Sequence, residues 1–269
     1  MIIHVDGSPV HLATGGLDLH HPDRTNEPLV LLVHGAGMDS SVWFLQTRWL
    51  GHRSMRAAAV DLPSHGRSGG DPFTTIEDGA AWLARVVETL DMGPAVVVGH
   101  SMGTFLALSL AARRPELVSG TVLFGTADAM GVHPELLDAA ANDVPRAAAL
   151  MTGWSLDAEA KVGSNPTPGL WMAAGAQALV EISQPGVLSI DLQMCAAHTN
   201  ALSDASCVTC PTTVVMGRSD KMTPVRAGQK LTEALASETI ESITLQGVGH
   251  MMMTEDPATV RTIIRNAVQ

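Results

Sequence analysis

One serine, one aspartate and one histidine in this chain sit where acyl transfer needs them. Ser101 is the centre of Gly99-His100-Ser101-Met102-Gly103, between the β-branched run Val96-Val97-Val98 and the helically spaced Phe105, Leu106 and Leu108. This pattern predicts a strand, a very tight turn and a helix, with serine at the apex. The flanking glycines remove Cβ atoms that would clash as strand and helix close, and the serine is driven toward positive φ. The turn lifts its hydroxyl clear of the sheet and aims the first free N–H groups of the helix at whatever reacts there. A serine hydroxyl is a poor nucleophile at neutral pH and needs a base to take its proton as it attacks. His250 closes Gln246-Gly247-Val248-Gly249-His250 and Asp220 closes Gly217-Arg218-Ser219-Asp220, each just past a β-patterned run. In these positions His250 is the base and then the acid, while Asp220 holds the imidazole tautomer and stabilises the imidazolium. The oxyanion of the tetrahedral intermediate needs preorganised donors. The backbone N–H groups of Met102 and of Ala36, in His34-Gly35-Ala36-Gly37, form the natural pair. Asp128, after Val122-Leu123-Phe124-Gly125, is a competing candidate for the acid.

The elements that must position these groups alternate along the chain. Residues 2–6 and 10–13 read as a hairpin turning at Asp6-Gly7-Ser8-Pro9. Strands are expected at 29–33, 56–60, 96–98, 119–124, 212–216 and 240–245, a short helix from Ser41, and an amphipathic helix over 75–90. This order predicts an α/β fold with a mostly parallel twisted sheet covered on both faces by helices. Between Gly125 and Thr212 the rhythm breaks. Helical spacing there covers 134–142, 145–151, 170–183 and 187–199, with Asn165-Pro166-Thr167-Pro168-Gly169 as a rigid break. Long insertions at the carboxyl edge of a sheet serve as lids or binding walls. Two units are therefore expected: a core of 1–125 with 211–269, and a helical cap insertion of 126–210.

The order Ser101, Asp220, His250, together with His34-Gly35-Ala36-Gly37 and Asp61-Leu62-Pro63-Ser64-His65-Gly66-Arg67-Ser68, is similar to that of α/β-hydrolase-fold serine hydrolases. The resemblance is to the lid-bearing carboxylesterase and enol-lactonase-like type and covers nearly the whole chain. Ser64 departs from it, standing where that family usually has glycine. Relatives with other chemistry fit less well. Epoxide hydrolases use paired cap tyrosines and an aspartate nucleophile, and this chain has no tyrosine. Haloalkane dehalogenases also carry aspartate at the position of Ser101. Proline iminopeptidase-like relatives commonly have tryptophan where Met102 stands.

Composition narrows the partners. A formal net charge of -11 over 269 residues argues against nonspecific nucleic-acid binding and against docking on anionic membranes. No apolar run reaches membrane-spanning length and the first residues lack signal-peptide character, so a cytoplasmic protein is expected. Cys207-Val208-Thr209-Cys210 lacks a second ligand pair, which favours structural cysteines, and neither a metal nor a cofactor is expected. His34, Gly35, His100, Met130, Trp154, Trp171 and Met251 are candidate pocket residues, although methionine and tryptophan at such positions are more often plain core. His133 and His198 in the cap read as solvated or hydrogen-bonded. The expected function is hydrolysis of a small, fairly apolar carboxylic ester by Ser101, His250 and Asp220. The first alternative is an enol-lactone or carbon–carbon (meta-cleavage product) hydrolase, with Arg146, Lys161 or Arg218 as distant cationic anchors. The second is a noncatalytic small-ligand receptor on the same fold, since an intact triad gives capacity and not use.

Overall fold

The computed structural model describes residues 1–163, 166–167 and 169–269, so Asn165 and Pro168 of the expected rigid break lie outside the described residues. Among the described residues, eight strands form one sheet: β1 (Ile2–Val5), β2 (Ser8–Ala13), β3 (Leu29–Val33), β4 (Arg56–Val60), β5 (Ala95–His100), β6 (Val118–Phe124), β7 (Thr212–Gly217) and β8 (Ile240–Leu245). Their spatial order is β1-β2-β4-β3-β5-β6-β7-β8. β1, β2 and β4 pair antiparallel, and every later neighbour pairs parallel. The β1–β2 turn is made by Asp6 and Gly7 at φ 51° and 80°, the positive angles that a two-residue hairpin loop requires.

The β-branched and leucine runs work because both faces of the sheet are covered. Along β3, Leu29, Leu31 and Val33 enter one core while Val30 and Leu32 enter the other. The first core is roofed by α2 (Ile76–Leu90) and α3 (Met102–Arg113), through Leu83, Val87, Phe105 and Leu108. The second lies under α1 (Phe44–Gly51), through Leu50, and the C-terminal helix at Pro257–Asn266, through Ile263 and Ile264. The expected short helix from Ser41 is a 3-10 turn, Ser40–Trp43, that runs on into α1. Asp39 starts it by accepting the Ser41 N–H at 2.8 Å. Thr75, expected as the first residue of α2, is its N-cap and accepts the Asp78 N–H at 3.1 Å.

Between β6 and β7 lie α4 (Pro134–Asn142), α5 (Val144–Ser155), α6 (Ala158–Val162), α7 (Met172–Glu181), α8 (Val187–Ala197) and α9 (Ala201–Ala205). α5 begins where the Asp143 carboxylate accepts the Arg146 N–H, and continues past the expected end at 151. α6 and α9 have five residues each, too short to leave a periodic apolar signal. After β7 come α10 (Val225–Ala234), α11 (Met252–Glu255) and α12, the C-terminal helix already described. Among the described residues, no helix is long and apolar enough to cross a membrane. Ser64 has φ 63°, a left-handed angle that glycine adopts without steric cost. Its Oγ donates to the Gly70 carbonyl at 2.6 Å, a bond glycine would lack.

Candidate active site

Ser101 separates β5 from α3 with φ 53° and ψ -122°. Such backbone costs on the order of 1–3 kcal/mol and persists only where its surroundings enforce it. Here the Ser101 N–H donates to the Phe124 carbonyl at 2.9 Å, and the Ser101 carbonyl accepts the Thr104 N–H at 2.8 Å and its hydroxyl at 2.6 Å. Close packing explains the two glycines. A Cβ on Gly103 would lie 2.5 Å from the Val33 oxygen and 2.7 Å from the His34 oxygen, and one on Gly99 would run into the Gly103 carbonyl.

Asp220 and His250 meet across the carboxyl ends of β7 and β8. His250 Nδ1 donates to Asp220 Oδ2 at 2.6 Å, which leaves Nε2 as the acceptor nitrogen in the neutral ring. The other carboxylate oxygen accepts the N–H groups of Met222 at 2.7 Å and Thr223 at 2.9 Å, and the Thr223 hydroxyl donates to Oδ2 at 2.7 Å. Burial raises the Asp220 pKa, but the charge and hydrogen bond of His250 and the donors of Thr223 outweigh it, so the carboxyl titrates below its ordinary value. Asp128 has a different partner. Its Oδ2 pairs with Lys230 Nζ at 2.5 Å, in a partly exposed position.

The histidine loop is clamped from beneath. Buried Glu255 accepts N–H groups from Gly249 at 3.0 Å, Met251 at 3.1 Å and Asp157 at 2.8 Å. The His250 N–H donates to the Ser155 carbonyl on α5, and His100 Nε2 donates to the His250 carbonyl at 3.0 Å. Burial, then the neighbouring His250, push His100 well below its ordinary pKa, so it stays neutral. His34 is also a supporting side chain. Its Nε2 accepts the Leu62 N–H at 3.2 Å and Nδ1 donates to the Gly35 carbonyl at 2.9 Å. Burial, with the His65 charge nearby, lowers its pKa to about 4.

Ser101, His250 and Ala36 share the wall of a cavity of about 120 Å³. The insertion supplies Met130, Leu136, Met151, Trp154 and Leu192, and the remaining apolar wall includes Met222. Of the pocket residues expected from sequence, Met130 and Trp154 line this space. Trp171 is 69% exposed, and Met251 faces a separate apolar cavity of about 210 Å³ beside Phe44 and Leu179. Gly35 packs behind the elbow, where an added Cβ would lie 3.1 Å from Ser101 Cβ. His133 caps α4 and also lines the cavity of Ser101, whereas His198 is buried against Phe105. Cys195 lines the cavity too, but burial pushes its thiol pKa up, away from thiolate chemistry. Thr223, Glu255 and Asp191 hold the loops around this site by contacts that sequence reasoning does not single out.

Asp191 reaches from α8 to the loop after β3. Its Oδ2 accepts the Gly37 N–H at 2.8 Å and meets His65 Nε2 at 2.9 Å, with both side chains buried. Burial lowers the His65 pKa, but the hydrogen bond and charge of Asp191 outweigh it and the net shift is upward. A raised folded pKa makes the ion pair fully stabilising below about pH 6.5, with that contribution lost as pH rises through the folded value. The thermal-midpoint gap between wild type and His65→Gln is therefore expected to narrow between about pH 6 and pH 9. A gap that stays flat or widens would remove this ion pair from the anchoring of α8.

Residues 30–263 match the sequence profile of the alpha/beta hydrolase family. The monoacylglycerol lipase of Mycolicibacterium smegmatis is 27% identical over 246 residues, spanning 88% of this chain and 86% of that protein. The (E)-2-((N-methylformamido)methylene)succinate hydrolase of Acinetobacter baylyi is 30% identical over 128 residues, 47% of this chain; here the chain spans about half of its relative, 46%. The crystal structure of the enol-lactonase from Burkholderia xenovorans superposes with a TM-score of 0.86, covering 100% of this chain and 99% of that one, at 20% identity. That last likeness is one of fold.

Proposed function

The chain belongs to the alpha/beta hydrolase family, and on that footing we propose that it is a serine hydrolase cleaving a small, fairly apolar carboxylic ester through an acyl-enzyme. One observation carries the reading: His250 is held by Asp220 at 2.6 Å, with Ser101 and His250 on the wall of one apolar cavity. In this mechanism His250 Nε2 takes the Ser101 proton as Oγ attacks the ester carbonyl, and the buried Asp220 carboxylate stabilises the imidazolium. The carbonyl electrons move onto oxygen, where the N–H groups of Ala36 and Met102 donate to the oxyanion. Collapse expels the alcohol, which takes its proton from His250, and leaves an acyl ester on Ser101. Water, deprotonated by His250, attacks that ester; collapse breaks the bond to Ser101 Oγ, which takes the proton back from His250, and releases the carboxylic acid. No cofactor enters the scheme.

Residues 126–210 form the cap of this enzyme and supply the acyl-binding wall, on a core of 1–125 and 211–269. Asp191 positions the oxyanion loop from the cap, since Gly37, whose N–H it accepts, follows Ala36 directly. Three free thiols suit a reducing compartment, which supports residence in the cytoplasm. The test is labelling with a fluorophosphonate. The expected result is one added mass, on the peptide containing Ser101, with loss of 4-nitrophenyl butyrate hydrolysis in step with labelling. Labelling without turnover of either 4-nitrophenyl acetate or butyrate would favour the receptor.

A further inference from the structure

Another cavity, of about 550 Å³, lies against the mouth of the one that holds Ser101, and Gly131, Lys221 and Met222 belong to both walls. Its charged lining is Lys221, Arg226, Lys230 and Asp128. Three cations to one acid reverses the balance of the whole chain, in which 27 acidic residues face 16 basic ones. Asp128 is already paired with Lys230. Lys221 and Arg226 are exposed, and among the described residues neither side chain has a hydrogen bond or ion pair. Two positive charges are thus left facing the groove, directly beyond an apolar cavity that holds the nucleophile. A ligand suited to both spaces has an apolar stem against Met130 and Met222 and a negative charge past Lys221.

We propose that this groove is an anion subsite that takes a carboxylate or phosphate carried by the ester at the end remote from its scissile carbonyl. The proposal rests on the ester-hydrolase reading above and names its substrate class more closely. Positive charge at the mouth of a low-dielectric cleft concentrates anions there and speeds their capture, which registers as a lower KM and a steep dependence on salt.

The test compares matched esters that differ only in the remote charge. Monomethyl adipate is set against methyl hexanoate, and 2-(butyryloxy)ethyl phosphate against propyl butyrate. For wild type, kcat/KM for the anionic member of at least one pair is expected to exceed that of its neutral partner by about 5- to 10-fold at low salt. That ratio falls toward one in Arg226→Gln, further in the Lys221→Gln/Arg226→Gln double variant, and in concentrated salt, through KM and not kcat. Preference within the adipate pair assigns the anion to the acyl side; preference within the phosphate pair assigns it to the alcohol. Ratios near one for wild type in both pairs, or ratios that neither substitution changes, overturn the subsite while leaving the esterase reading intact. Absence of turnover for all four esters overturns both.

Discussion

Ser101→Ala is expected to lower ester hydrolysis by about 10⁴- to 10⁶-fold, the loss that follows when a covalent nucleophile is deleted from a set of groups that act as one unit. The fold survives the change. Among the described residues the Ser101 side chain makes no hydrogen bond, and its backbone bonds to Phe124 and Thr104 do not depend on Oγ except through position. Alanine at φ 53° carries much the same strain as serine, so the thermal midpoint of Ser101→Ala stays near that of wild type. Ser101→Gly releases the strain and gains on the order of 1 kcal/mol in folding free energy while also losing activity. That pairing of higher stability with lost turnover identifies strain held for a purpose. Stopped-flow kinetics with 4-nitrophenyl butyrate and thermal unfolding of both variants measure it. Wild-type rates in Ser101→Ala would remove this serine from the mechanism.

How much of this could be read from residues alone depends on how local each determinant is. The elbow is local: a buried strand, five residues and a helix specify one backbone path, and Gly99 and Gly103 are needed because the Gly103, Val33 and His34 carbonyls come close. The strands were legible for the same reason, since an apolar β-branched run buried on both faces leaves little choice. Which acid faces the histidine is not local. Asp128 and Asp220 each follow a parallel strand, and their difference lies in partners far along the chain: Lys230 for one, His250 for the other.

The pocket was the least legible part, because each short helix of the insertion chooses its buried face by packing. Trp154 at the end of α5 turns into the cavity, whereas Trp171, ahead of α7, is exposed. The two clamping acids escaped for another reason. Glu255 and Asp191 look like ordinary helix residues until their backbone partners arrive. Asp191 did leave one trace: it is the lone charge in Val187–Ala197, with Ile190 and Leu192 on either side. A solitary acid in an apolar helix has to find a donor when it is buried. Here that donor is the Gly37 amide, with His65 beside it.

Asp220→Asn is expected to lower kcat by about 10⁴-fold, while Asp128→Asn changes it by about twofold or less. The asymmetry follows from what each carboxylate touches. An amide at 220 can keep one oxygen facing the Met222 and Thr223 N–H groups, but its NH₂ then meets His250 Nδ1. That contact favours the ring form with the proton on Nε2, and such a ring cannot accept the Ser101 proton. It also removes the negative charge that balances the imidazolium as the serine attacks. At 128 the loss, among the described residues, is a partly exposed ion pair with Lys230. Because the Asp220 pKa is depressed in the fold, its contribution to stability is present above the unfolded value of about 4 and is lost as pH falls below it. Activity at neutral pH should therefore be compared after thermal unfolding has established that each variant is folded. A ranking in which Asp128→Asn is the more damaging would assign the acid to residue 128 and break the link between His250 and the carboxylate it now touches.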